Sequence, residues 1–167
     1  MTAPVEKLHL AIAQATAPLE AHHAARLHCS HGCSACCVDE LTVFAVEADV
    51  IRRHHADLLE TEAPGPEGAC AFLDATGACR IYAHRPYVCR TQGLPLRWIE
   101  EEDGDPVECR DICPLNVEGE PLVDLEPAEC WTLGAAEGHL ARMQTAYEPD
   151  SPERRVRLRD LFRRSDS

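Results

Sequence analysis

The sequence predicts a small single domain of the α+β class, mainly α with short β hairpin elements and irregular connections. Three observations lead there. Apolar residues recur at helical spacing near residues 4–27, 47–60 and 126–147. β-prone runs are few and short, and 12 prolines and 9 glycines demand long irregular connections. The 167 residues suffice for one core, yet only 5% are aromatic and 10 are cysteine, so the core is thin and thiols are plentiful.

Residues 4–27 read as a helix with Val5, Leu8, Ile12, Ala15 and Leu19 on one face. Pro18 is expected to kink or divide it, with Thr16 as a new N-cap. His22 and His23 are expected on its solvated surface. Residues 38–46 read as short and extended, centred on 42–44. Residues 47–60 read as one helix, with Val50, Ile51, Leu58 and Leu59 inward and His54 and His55 on the surface. Residues 70–82 read as two extended pieces around a turn at 74–77, and a helical turn follows near Pro86. Residues 96–99 and 107–109 form a hairpin about Asp103-Gly104. A helix over 126–147 has Trp131, Leu133, Leu140 and Met143 as core candidates. A last helix over 152–162 places Val156, Leu158 and Leu161 inward, and Ser165–Ser167 should fray.

Net charge is −13, which repels nucleic acid and anionic lipid, so neither is expected as a general partner. The charge is uneven: residues 100–111 hold seven acids, and residues 153–164 hold six arginines against two acids. Both surfaces read as solvated. No stretch approaches the roughly 20 apolar residues of a membrane span. The apolar run at 8–13 is too short for a secretory leader. A cytoplasmic chain is therefore expected, with its thiols reduced and serving as ligands rather than disulfides.

Cys29, Cys33, Cys36 and Cys37 fall within nine residues. A Cys-x2-Cys turn supplies two thiolates from one loop, and zinc or iron wants about four such ligands. Cys70, Cys79 and Cys89 lie one helix downstream and make the second half of the set. His28 and His31 are further candidates beside the first cluster. Cys109, Cys113 and Cys130 have no assigned role; burial as a small hydrophobe suits Cys130, beside Trp131. Bound metal then contributes to the folding of this small, metal-stabilised domain. Residues 1–28 form its N-terminal helical segment, 29–95 the cysteine-cluster core, and 96–167 the acidic hairpin and C-terminal helices. Arg80, Arg85 and Arg90 lie near Cys79 and Cys89, where they offset the charge of a polythiolate site or lower a thiol pKa for catalysis. Cys29-x3-Cys33-x2-Cys36 also has the spacing of a radical S-adenosylmethionine cluster, but the strands and glycine-rich segment of such a barrel are missing.

These residues resemble the YkgJ-type cysteine-cluster family, the CxxCxxCC family of zinc- or iron-chelating domains. Its quartet matches Cys29, Cys33, Cys36 and Cys37. Its second half, C-x-F/Y-L…G-x-C-x-I-Y-x-x-R-P-x-x-C-R, matches Cys70, Phe72, Leu73, Gly77, Cys79, Ile81, Tyr82, Arg85, Pro86, Cys89 and Arg90. The likeness covers about residues 29–95. The family quartet begins CxxC, whereas here one extra residue gives Cys29-x3-Cys33. The resemblance implies bound zinc or iron, and an iron–sulfur cluster is a further form of it, since flagellin lysine methylases that look related carry a similar cysteine region. The expected function is a metal-binding protein with the metal ion as its partner. Its alternatives are a redox or transfer enzyme with an iron–sulfur or open metal centre, and an interaction module with purely structural metal and an unspecified protein partner.

Overall fold

The computed structural model describes residues 2–162. Ser165–Ser167 and the last two arginines of the basic stretch lie outside the described residues. Helix α1 (Ala3–His22) is followed by the cysteine loop and then β1 (Thr42–Phe44), α2 (Ala45–His54) and α3 (Ala56–Thr61). After a second cysteine loop come α4 (Tyr87–Thr91), β2 (Leu96–Glu102), β3 (Asp105–Asp111), β4 (Trp131–Thr132), α5 (Ala135–Tyr147) and β5 (Arg155–Arg157). The α+β class is as expected from the sequence.

Helix α2 is the centre of the molecule. Its Ala48 and Ile51 join one apolar cluster with Val43, Cys70, Phe72, Leu73, Ile81, Leu158 and Leu161. Its Val46 and Val50 join a second with Val5, Ile12, Tyr87, Ala136 and Leu140. Phe72 and Ile81, almost wholly buried, contribute about 2–3 kcal/mol each by leaving water. The first turn of α2 needs partners for its free N–H groups, and non-local chain supplies them. Ala45 N–H bonds to Arg154 O at 3.1 Å, and Val46 N–H to Oε1 of the buried Gln144 at 3.0 Å. Glu47, 4% exposed, accepts from the Tyr87 N–H at 2.8 Å and lies 3.0 Å from His9 Nε2. One carboxylate thus joins α1, α2 and the start of α4.

Several elements differ from the sequence expectation. Helix α1 runs through Pro18 without dividing. Pro18 and Gln14, whose carbonyl the proline leaves free, are both exposed, so water can satisfy that carbonyl. Thr16 is buried rather than capping a new helix, and Ala15 points outward. His23 is buried too, with Nε2 2.6 Å from Glu129 O. The stretch 47–60 splits at His55, whose ring leaves the surface to meet His84: Nε2 and Nδ1 are 3.0 Å apart. His54 stacks on the same His84 ring at 3.9 Å.

The stretch 126–147 is a 3-10 turn at Pro127–Glu129, then β4, then α5. Gly134, at φ 106°, separates β4 from α5 with a backbone that an L side chain rarely adopts. Residues 155–157 are a strand, not a helix. Val156 pairs with Val43 in an antiparallel ladder between β5 and β1, and a 3-10 turn at Leu158–Phe162 follows. The hairpin is longer than expected, Leu96 pairing with Asp111 at one end and Glu102 with Asp105 at the other. Asp103 (φ 53°) and Gly104 (φ 90°) form its two-residue turn, which demands positive φ at both positions. Strand β4 adds to β2 in parallel.

The C-terminal segment also holds the cysteine loops together. Arg159 donates from Nε to Asp39 (2.9 Å), and its terminal nitrogens reach the carbonyls of Gly65, Pro66 and Ala69 at 2.8–2.9 Å. Asp39 stands just after Cys37, and Ala69 just before Cys70. Gly65 fits because a Cβ there would lie 2.9 Å from Cys70 O.

Two predictions follow from these contacts. Hydrogen bonding from Arg159 holds the Asp39 carboxyl down to about 2 from an ordinary 3.8. The stability this gives is present above pH 3.8 and is lost as pH falls toward 2. Arg159→Met should lower Tm by roughly 4–8 °C at neutral pH. The gap in urea midpoint between variant and wild type should narrow as pH drops from about 4 to 2.

His55 and His84 are held below the ordinary imidazole value of 6.5, first by burial and then by neighbouring histidine charge. Their folded state binds fewer protons than the unfolded chain, so stability is full above pH 6.5 and falls as pH drops below it. Thermal unfolding from pH 8 to 5 should show this loss, and His84→Gln should reduce it.

Candidate metal centre

The first cysteine loop is built from two turns. Cys33 N–H bonds to Ser30 O at 2.9 Å and Cys37 N–H to Ser34 O at 2.9 Å. Gly32, at φ 84°, takes the corner of the first turn. The second loop begins where the first ends: Cys70 N–H bonds to Cys37 O at 3.0 Å, and Val38 bridges Ala69. It returns through an Asp74 turn. The Asp74 carboxylate accepts from the Thr76 hydroxyl at 2.7 Å and from the Thr76 and Ala78 N–H groups at 2.7 and 3.0 Å, all of which hold it below the usual carboxylate range. A bridge between Leu73 and Cys79 closes that turn. Gly77, at φ 80°, packs on the first loop, where a Cβ would lie 3.2 Å from Gly32 O. The two extended pieces and turn expected over 70–82 are thus present in abbreviated form, as isolated bridges.

Cys89 arrives on α4. This helix is entered through Pro86, and its first N–H is bound by Glu47. Arg85, directly before it, lies over the Tyr82 ring at 4.1 Å. All ten cysteines are free thiols.

Electrostatics show which thiols share a neighbourhood. Cys36 is lowered to about 6, first because the Cys37 thiol donates a hydrogen bond to its sulfur, with further help from Arg85. Cys37 is raised because it keeps that proton, and burial and the charges of Cys36, Cys70 and Cys89 add to this. Burial raises Cys70 and Cys79, with each other's proximity adding for Cys70. Burial pushes Cys89 up to about 12, with the charges of Cys70, Cys79 and Cys36 adding and Arg85 opposing. Cys36, Cys37, Cys70, Cys79 and Cys89 therefore share one neighbourhood, and Arg85 acts on Cys36, Cys37's partner, and on Cys79 and Cys89.

The Cys29 sulfur lies 3.5 Å from the Asn116 side-chain nitrogen and close against Gly93. Cys33 lies half-buried in the turn between Cys29 and the five. His28 and His31 are both exposed. Among the described residues, no three His, Cys, Asp or Glu side chains stand in a ready-made coordination geometry.

The donor set nevertheless fits a soft or borderline cation. Cys37, Cys70 and Cys89 are each raised in part by neighbouring thiols, and thiolates, where a cation holds them, are preferred ligands of zinc and iron. Arg85 partly offsets the surplus negative charge of such a site. Of the remaining cysteines, Cys109 faces Trp98 across the hairpin and Cys113 precedes the 3-10 turn at Pro114–Asn116. Cys130 is 5% exposed, as expected of a packing residue, though it stands before β4 rather than within a helix.

Asp39, Glu47, Gly93, Asn116 and Arg159 shape this region and were not singled out by sequence reasoning. Their partners lie tens of residues away, so no local pattern marks them. Only Asp39, two residues beyond Cys37, stood near a motif. No helix among the described residues is long and apolar enough to cross a membrane.

No curated protein and no solved structure matches the chain. A family model described as "CxxCxxCC: Putative zinc- or iron-chelating domain" matches residues 28–114, more than half of the chain and a span that holds both cysteine loops, Arg85 and α4. On that match and this arrangement of thiols, the chain belongs to the CxxCxxCC family of zinc- or iron-chelating domains.

Proposed function

We propose that the protein chelates zinc or iron through thiolates of its two cysteine loops, in a reducing, cytoplasmic setting. The observation that carries this reading is the joining of the two cysteine loops, where Cys70 N–H bonds to Cys37 O at 3.0 Å and Val38 bridges Ala69, within the span the family model matches. Cys33 and Cys29 complete the set from the same first loop. Zinc takes four of these thiolates as a closed structural site. Iron takes four of them as a single ion or as an iron–sulfur cluster. The chain's own contribution is to hold the thiols close, exclude part of the water and offset charge with Arg85. Metal uptake then stabilises the fold, because the folded chain holds together ligands that the unfolded chain does not.

Elemental analysis with an absorption spectrum on anaerobically purified protein tests this. Bound zinc or iron is expected, colourless for zinc and coloured for iron. The double variant Cys36→Ser/Cys89→Ser should lose metal and melt at lower temperature, whereas Cys130→Ala should retain its metal. Protein with neither zinc nor iron and ten titratable thiols would sink the proposal.

A further inference from the structure

Asn116 is fully buried, yet every polar group of its backbone N–H and side chain has a partner. Its own N–H bonds to Cys113 O at 2.8 Å. Its Oδ1 accepts from the His28 N–H at 2.9 Å. Its Nδ2 donates to Gly93 O at 2.9 Å and to Cys29 Sγ at 3.5 Å. Chemistry fixes this orientation of the amide. Turned over, Oδ1 would face the Gly93 carbonyl and the NH2 would face the His28 N–H, two like-with-like contacts in a buried site.

Gly93 forms the other wall. It holds φ 95°, and a Cβ there would stand 2.6 Å from Cys29 Sγ and 3.4 Å from Asn116 Nδ2. A loop staple joining residues 28, 93 and 113 needs the Oδ1 acceptor and one N–H. It does not need the second N–H aimed at sulfur. An amide N–H is a better partner for a thiolate than for a thiol, because donors favour the charged acceptor. Amide donors to a ligating atom orient it and tune the metal.

We propose that Asn116 is a positioning residue that presents Cys29 as a thiolate ligand, with Gly93 leaving the space its sulfur occupies; this rests on the chelation reading above. Cys29 then reaches the metal centre from a sulfur held by the C-terminal half of the chain, not by the cysteine loop alone.

Wild-type protein labelled with ¹⁵N and loaded with ¹¹³Cd²⁺ tests this directly. The Asn116 side-chain amide protons should shift on loading and show coupling to ¹¹³Cd through the N–H···S contact. Cys29→Ser should abolish both effects. Asn116→Ala should weaken Cd²⁺ binding by about 10–100-fold, the usual loss for a partner of a metal ligand. In a Cys29→Ser background the same substitution should change binding by less than about twofold. Equal weakening in both backgrounds, or a loaded wild type whose Asn116 amide neither shifts nor couples, overturns the role of Asn116. A wild type that takes up no Cd²⁺ overturns the chelation reading, and this proposal falls with it. The measurement on wild type decides the matter even if Asn116→Ala does not fold.

Discussion

The fold depends on a single buried carboxylate. Glu47 projects from the first turn of α2, with apolar clusters on either side, and it must find partners because an unpartnered carboxylate is costly inside a protein. It finds His9 on α1 and the Tyr87 N–H at the start of α4. The second contact matters most for the thiols. A five-residue helix has little stability of its own, and α4 is fixed in place by a carboxylate on its first N–H. Arg85 stands two residues before that anchor and Cys89 two residues after it. The position of both, relative to Cys70 and Cys79, is inherited from α2.

The second constraint is electrostatic. Burial holds Cys70, Cys79 and Cys89 against ionisation, whereas Cys36 is favoured as the thiolate by the proton that Cys37 keeps. Arg85 answers only part of the charge. Arg159 works from the outside, tying the chain after Cys37 to the chain before Cys70, so the loops stay together. Both loops lie within the span matched by the family model for zinc- or iron-chelating domains.

What the sequence made legible was local. The two cysteine loops, α1, the core of α2 and the Asp103-Gly104 hairpin each announce themselves by spacing or turn chemistry within about ten residues. Elements decided by distant partners were misread. Residues 155–157 carry Val156 between arginines, a pattern open to helix or strand, and pairing with β1 across more than a hundred residues settles it. Residues 126–134 have helix-compatible apolar spacing, but Trp131 is recruited to β2 and the positive φ of Gly134 forces a break. His23 looked like a solvated histidine until Glu129 O came within 2.6 Å. The same limit applied to the site. Cysteine spacing pointed to the ligands, whereas Arg159 and Asn116 touch those loops from 87 or more residues away and leave no local trace.

The extra residue between Cys29 and Cys33 has a structural explanation in these terms. Cys-x2-Cys places two sulfurs on one tight turn. In this chain the Ser30–Cys33 turn occupies that place, with Gly32 at the third position, where φ 84° suits glycine. Cys29 is therefore pushed just outside the turn, and its sulfur leaves the loop for the wall made by Gly93 and Asn116. A shorter spacing would draw Cys29 back into the turn and give up that wall. The added residue and the buried asparagine are two halves of one arrangement. The asparagine lies just beyond residues 28–114, the span that the family model matches.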